Sequence, residues 1–209
     1  MPKGSEELTH ARREEIIDAC AALYETMGFR DITILDIGAK TSFTRTSIYN
    51  YFQTKEEIFL ALLQREHERW AADLEELARR DGPLSAGEFA DGMARVLEKR
   101  GCMLKLMSMN LYDMERNSRL ENLVAFKKAY AGARQAVARC LEQFVPAMTA
   151  DDVRGFLYAF FPFLFGGYPY TSHTEKQKEA MRLAGAGEEH HSVYGLTKSF
   201  VQKMLREFR

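Results

Sequence analysis

Apolar residues recur at spacings of three and four along nearly the whole chain, and no run of useful length alternates apolar with polar. That period belongs to helices with one buried face. A first helix is expected from about Thr9 or His10 to Met27, with Ile16, Ala19, Cys20, Leu23 and Met27 inward and Gly28 as its stop. A short helix opens at Thr33, where Asp36 completes a capping box and Ile34, Leu35 and Ile37 supply the apolar side. Thr41 and Ser42 favour a turn. Thr44 is a good N-cap for a second short helix whose Ile48, Tyr51 and Phe52 share one side. Thr54 then opens a further box closing on Glu57.

The pattern continues helical to the end. A helix is expected from Lys55 to Arg80, with Ile58, Leu62, Leu63, Trp70, Leu74 and Leu77 inward and Asp81-Gly82-Pro83 as the break. Ser85 with Glu88 caps the next, to about Arg100, and Gly101 breaks the chain before a short helix holding Leu104, Leu106, Met107, Met109 and Leu111. After a turn at Asn117 and Ser118, a long helix runs from Leu120 to Val145 and stops at Pro146. Thr149 with Asp152 starts a Phe-rich helix, kinked or shortened by Pro162 and ended by Gly166-Gly167, with Tyr168 to Ser172 as a loop. Thr174 to Ala184 reads as a short polar helix, Gly185 to His191 as a flexible link, and Ser192 to Phe208 as a final amphipathic helix. The fold class is all-α with roughly nine or ten helices, divided into a head, 1–54, and a body, 55–209.

The candidate chemistry lies on the second short helix. Its outer side presents Thr46, Tyr49 and Asn50, with Arg45 and Ser47 at the margins. A major groove admits one α-helix, and there Arg forks onto guanine, Asn onto adenine, and Ser or Thr onto either partner. The N–H groups at the start of the helix suit a phosphate. Lys55 opposes the dipole of the helix it begins, so a cation there suggests an anionic partner. A helical hairpin that never touches DNA has the same layout.

The segment from Thr33 to Lys55 resembles the DNA-binding region of the TetR family of bacterial transcriptional repressors. Thr33, Ile37, Ala39, Thr44, Ser47, Ile48, Tyr49, Tyr51, Phe52, Thr54, Lys55 and Glu56 stand in register with that pattern, preceded by Ile16, Ala19, Ala22, Leu23 and Gly28-Phe29. Gly38, Ser42 and Phe43 depart from it without removing an expected DNA contact. The resemblance implies a three-helix helix-turn-helix head and a helical effector-binding and dimerisation body. Arg45, Thr46, Ser47, Tyr49 and Asn50, with Thr44, would face bases and nearby backbone, and Thr33, Tyr51 and Lys55 would hold phosphates. The implied partners are a palindromic double-stranded operator, a small-molecule effector, and a second copy of the chain docked through the Val153–Phe165 and Ser192–Phe208 helices. A two-fold dimer also matches a palindromic site. An activator without a ligand, or a helical protein-interaction module, are the alternatives.

Composition sharpens this picture. The chain has 209 residues, 46% of them apolar, and a formal charge of −1; residues 1–55 hold seven Lys and Arg against eight Asp and Glu. Such a head is not strongly basic, so affinity for DNA must come from geometry and dimerisation. Methionines Met93, Met103, Met107, Met109 and Met114 lie near aromatics in the sequence, and pliable Met lines promiscuous apolar pockets. The implied effector site therefore takes His67, Trp70, Met93, Met103, Met107, Tyr112, Phe126, Tyr130 and Phe161, with Asn110 and Tyr158 as further polar anchors. Cys20, Cys102 and Cys140 lack metal or redox spacing and read as buried reduced thiols, fitting a cytoplasmic protein. His10, His173 and the His190-His191 pair read as surface or loop residues. No signal peptide is visible. The Phe156–Phe165 run falls short of the about 20 residues of a membrane span. Without a Walker motif, a His-Glu-x-x-His or a Gly-x-Ser-x-Gly, no enzyme, metal or cofactor is expected.

Overall fold

Four helices begin on reciprocal side-chain caps. Thr33, Ser85, Thr149 and Thr174 each accept from the backbone N–H three residues on, while Asp36, Glu88, Asp152 and Gln177 reach back to the cap. The computed structural model describes residues 3–80, 82, 84–186 and 191–208, without the side chains of 3–5 and Arg45. Among the described residues the elements are α1 Lys3–Thr26, α2 Ile34–Ala39, α3 Arg45–Ile48, α4 Lys55–Ala78, α5 Ala86–Glu98, α6 Gly101–Arg116, α7 Leu120–Phe144, α8 Ala150–Thr171, α9 Glu175–Leu183 and α10 Val193–Met204, then a 3₁₀ turn Arg206–Phe208. No strand occurs among them, and no helix is long and apolar enough to cross a membrane.

The largest differences from the sequence expectation lie in α1, α3 and α8, beside a final helix that ends at Met204 and gives way to a 3₁₀ turn at Arg206–Phe208. Helix α1 already starts at Lys3, ahead of the expected Thr9; residues 6–10 are exposed, so no apolar period marks them, while Glu6 in the first turn favours the helix dipole. Helix α3 is a single α turn; beyond it Asn50 and Tyr51 donate to Ser47 and Ile48 three residues back, tightening the segment toward 3₁₀. Helix α8 carries on through Pro162, Gly166-Gly167 and Pro169 to Thr171, in place of the expected loop. Pro169 has no N–H to give the Phe165 carbonyl four residues back, and the Ser108 hydroxyl donates to that carbonyl instead, at 2.7 Å. The break at Asp81 and Pro83, and the link at 187–190, lie outside the described residues. Helix α9 stops where Gly185 takes φ +64° and Ala186 N–H returns to the Met181 carbonyl at 3.0 Å.

The chain folds as two compact units, Met1–Glu66 with Asn110–Ala129, and His67–Met109 with Tyr130–Arg209. In the first, Ile16, Cys20, Ile32, Ile37, Ile48, Phe52, Ile58, Phe59 and Leu63 are fully buried. The Phe59 ring meets Tyr24 edge-on at 5.2 Å and Phe29 at 4.7 Å. Arg65 ties α4 to α1 through Glu14 and Asp18, at 2.9 and 2.7 Å.

Glu57, 1% exposed, and Glu66, 6% exposed, are buried carboxyl-bearing residues of this unit, and the partners of Glu57 are the more telling. Glu57 Oε1 accepts from Arg119 N at 3.0 Å and Nε at 2.7 Å, and its Oε2 from Arg119 Nη2 at 2.9 Å and Gln53 N at 2.7 Å. Burial pushes this carboxyl up, but the Arg119 fork, the two backbone N–H groups and the Arg119 charge outweigh it and hold the group at about 2.

In the second unit α10 lies on α5 and α8. Asp91 accepts from Tyr194 Oη and from Lys198 Nζ at 3.0 Å, and also pairs with Arg95 at 2.7 Å. Those partners, Tyr194 foremost, hold its carboxyl well below the usual range. Phe200 stacks on Phe163 at 4.3 Å. Gly92 lets α5 approach α4 closely, since a Cβ there would stand 2.9 Å from Leu77 Cδ1. Burial pushes the Cys140 thiol up to about 12, and its Sγ lies 3.3 Å from the Leu74 carbonyl.

Two predictions come from these packings. The Glu57 contribution to stability is complete above the ordinary value of 4.5 and is lost as pH falls toward the folded value of about 2. Glu57→Gln should flatten stability over that window, with roughly 3 kcal/mol missing at neutral pH, as read from urea midpoints; a slope equal to wild type would refute the pairing. Ser108→Ala should cost about 1–2 kcal/mol, and most of that cost should vanish in a Pro169→Ala background, where the substituted residue supplies the N–H. Equal costs in both backgrounds would show that Ser108 does not complete the α8 ladder.

Candidate nucleic-acid interface

The turn between α2 and α3 is braced from three sides. The Thr41 hydroxyl lies 3.0 Å from the Gly38 carbonyl and 3.1 Å from that of Phe43. Glu15, on α1, accepts from the Ser42 N–H, and from its hydroxyl at 3.0 Å. Arg12 lies over the Phe43 ring at 5.7 Å and Arg13 over Phe52 at 4.4 Å, and Arg13 Nη1 also donates to the Tyr51 carbonyl at 3.3 Å. With Ile37, Ile48 and Phe52 fully buried beneath, the backbone of α3 has little freedom.

The opposite face is open. Thr46 and Asn50 are exposed and Tyr49 is 45% exposed, all within one turn and a half. Thr44 occupies the N-cap with extended backbone, yet its hydroxyl meets the Ser47 hydroxyl at 3.1 Å rather than capping an N–H. Thr44 is exposed and Ser47 half-buried. The Arg45 side chain lies outside the described residues. Exposed Thr33 caps α2, its hydroxyl 2.6 Å from Asp36 Oδ2. The half-buried Tyr51 ring sits 6.4 Å from that of Phe43. The sequence expectation for Lys55 is a phosphate contact; in the structure its ammonium reaches the carbonyls of Phe29 at 2.8 Å, Ile32 at 3.0 Å and Arg30 at 3.4 Å, with the Phe29 ring 4.8 Å away. Three carbonyls for three ammonium protons account for a cation at that place, and they pin the loop that carries Thr33.

The residues read as effector contacts divide between the units. His67, Trp70, Met93, Met103, Met107 and Phe161 are buried in the second. Tyr130, half-buried there, lies 5.6 Å from His67 and 5.3 Å from Phe161, and Trp70 lies 5.8 Å from Phe161 and 6.3 Å from Phe160. Trp70 Nε1 is a buried donor with no hydrogen-bond partner among the described residues. Arg134 lies over Phe161 at 5.4 Å and Tyr158 at 5.8 Å. Tyr112 and Phe126 belong to the first unit, where Phe126 is buried and Tyr112 is 75% exposed. Asn110, in that unit too, accepts from Tyr24 Oη at 3.1 Å. An open groove of about 450 Å³ in the second unit is lined instead by Leu84, Ser85, Ala86, Gly87, Phe144, Val145 and Phe208. His10 and His191 are exposed and His173 is half-buried, while His190 lies outside the described residues. No group of three His, Cys, Asp or Glu among the described residues could hold a metal.

Sequence reading missed the supporting side chains Glu15, Arg13 and Arg119. They stand 27, 38 and 62 residues from the groups they hold, Ser42, Tyr51 and Glu57. Helical spacing carries no signal at those separations. Glu57 itself stands in the charged first turn of α4, after Lys55 and Glu56, where a capping carboxylate and a buried one read alike in sequence.

Residues 64–191 match the tetracyclin repressor-like C-terminal domain, and residues 16–62 match the tetR family of bacterial regulatory proteins. Over 82 residues the chain is 32% identical to the HTH-type transcriptional repressor Rv1474c of Mycobacterium tuberculosis (strain ATCC 25618 / H37Rv), a match covering 39% of this chain and 42% of that protein. Over 57 residues it is 39% identical to the uncharacterized HTH-type transcriptional regulator YdgC of Bacillus subtilis (strain 168), covering 27% and 29%. The matched stretches thus span less than half the length of these curated relatives. Among solved structures, FadR from Bacillus subtilis in complex with stearoyl-CoA superposes with a TM-score of 0.60 at 15% identity, covering 94% of this chain and 99% of that one. The MbdR regulator from Azoarcus sp. CIB superposes with a TM-score of 0.56 at 19% identity, covering 92% and 96%. These likenesses show a shared fold. With both its helix-turn-helix segment and most of its helical body matched, the chain belongs to the TetR family of bacterial transcriptional regulators.

Proposed function

We propose that the chain is a homodimeric repressor that reads a palindromic operator with the head, 1–54, and is released by a small molecule taken up in the body, 55–209. The observation that carries this reading is the open face of Thr46, Tyr49 and Asn50 on a segment braced from behind by Glu15 and Arg13. Rigid presentation of hydroxyl and amide groups is what base reading requires. Thr44 and Ser47 border the face, the sequence pattern assigns Arg45 to it, and Thr33 and Tyr51 stand beside it for phosphates; Lys55 would act there by fixing the loop. The dimer would form through α8 and α10, with Tyr158 of α8 71% and Tyr170 65% exposed.

The effector is assigned to the rings around Trp70 in the second unit, with the unmet indole N–H as the donor that meets it. FadR, of the same fold, was solved with stearoyl-CoA. By analogy, we assign this chain a largely apolar ligand carrying a hydrogen-bond acceptor. Such a ligand acts only by its differential affinity for the bound and released states, displacing α4.

Two outcomes are expected. A duplex selected from random oligonucleotides should lose about ten- to a hundredfold in affinity in Arg45→Ala/Tyr49→Ala, with log Kd rising linearly with log salt for wild type. Selectivity unchanged at fixed salt would remove the assignment. Trp70 is the single tryptophan, so titration with stearoyl-CoA should shift its emission and release the duplex together. Release with no change in emission would place the effector elsewhere.

A further inference from the structure

Arg119 stands in the short turn that joins α6 to α7, and its contacts converge on the end of the DNA-reading segment. Its guanidinium forks onto both oxygens of Glu57, at 2.7 and 2.9 Å, and Nη2 also reaches the Tyr51 carbonyl at 3.4 Å. Glu57 in turn accepts from Gln53 N at 2.7 Å. Two residues earlier in the turn, the Asn117 carbonyl accepts from the Thr54 hydroxyl at 3.1 Å. Tyr51, Gln53 and Thr54 therefore each have a bond leading to residues 117–119 or to the carboxylate that Arg119 holds. Tyr49 and Asn50 immediately precede this stretch, where Phe52 N–H still returns to the Ile48 carbonyl at 3.0 Å but Tyr51 N–H closes the tighter bond to the same carbonyl and Gln53 N–H turns to Glu57.

We propose that Arg119 is a positioning residue for operator reading: from the α6–α7 turn it fixes the Tyr51–Thr54 backbone, so that the state of this turn sets how Tyr49 and Asn50 are presented. This rests on the function proposed above. It adds a second route of control beside α4, because α6 and α7 each contribute residues to both compact units, Met103 and Met107 of α6 in one and Asn110–Arg116 in the other. A guanidinium suits the task because its planar fork fixes orientation as well as distance, which an ammonium does not.

The test uses the full chain with Arg119→Gln, Arg119→Lys and Thr54→Val, and reads three quantities under conditions where each variant is fully folded. The first is the ratio of affinities for a wild-type-selected duplex and a random duplex at fixed salt. The second is amide exchange at Tyr51, Phe52 and Gln53 relative to residues 16–24 of α1. The third is thermal midpoint. The expected result for Arg119→Gln is a specificity ratio at least tenfold lower, with exchange at 51–53 at least tenfold faster and α1 unchanged. Arg119→Lys and Thr54→Val should fall between it and wild type. A merely structural role would lower the midpoint and quicken exchange in α1 as much as at 51–53, with the ratio intact in the folded protein; that result overturns the proposal. Should Arg119→Gln not fold, the same comparison is made on the other two variants. If wild-type protein selects no duplex at all, the functional reading fails, while the exchange contrast still decides whether Arg119 fixes this backbone.

Discussion

A carboxylate removed from water must be matched by donors, and at Glu57 the match determines how the helix-turn-helix end of the chain is built. A buried charge left unpaired costs several kcal/mol, on the order of 3–5 when one partner is taken away. The four donors that meet Glu57 come from Gln53 and Arg119, far apart in sequence. The ion pair cannot form unless α4 begins where it does and the α6–α7 turn arrives at it. Apolar packing around Phe52, Ile58 and Phe59 tolerates small slides; a forked, four-bond carboxylate does not.

The same logic of distant side chains satisfying local backbone runs through the first unit. Glu15 holds the turn at Ser42, Arg13 holds the carbonyl of Tyr51, and Lys55 gathers the carbonyls of Phe29, Arg30 and Ile32. A one-turn helix has no cooperative stability of its own. Its shape is imposed from outside, which is how so short an element presents a defined face. The charge-neutral character of the head fits this construction, since several of its cations and anions are engaged in holding backbone.

Much of the fold was legible because caps and apolar spacing are local signals. Thr33, Ser85, Thr149 and Thr174 marked helix starts correctly, and the family pattern from Thr33 to Lys55 located the helix-turn-helix. What sequence concealed were interactions without a period. The polar start of α1 carried no apolar stripe. The continuation of α8 through Pro169 depended on Ser108, 57 residues away from the carbonyl it serves. The neighbours of Lys55 suggest a phosphate contact but carry no sign of the carbonyls of Phe29, Arg30 and Ile32 that its ammonium reaches. Tyr112 stood among methionines in sequence but emerges exposed in the first unit, since proximity along a helix says nothing of which side faces inward.

The serine that serves α8 has a consequence of its own. A helix ordinarily completes its interior ladder from its own amides, so its interior carbonyls need no neighbour to satisfy them. Where Pro169 removes one amide and a hydroxyl on α6 replaces it, the final turn of α8 becomes conditional on where α6 stands along its axis. A slide of α6 by little more than the reach of one hydroxyl would leave the Phe165 oxygen bare and loosen Tyr168 to Thr171. The end of one helix thereby keeps a register of its neighbour's position.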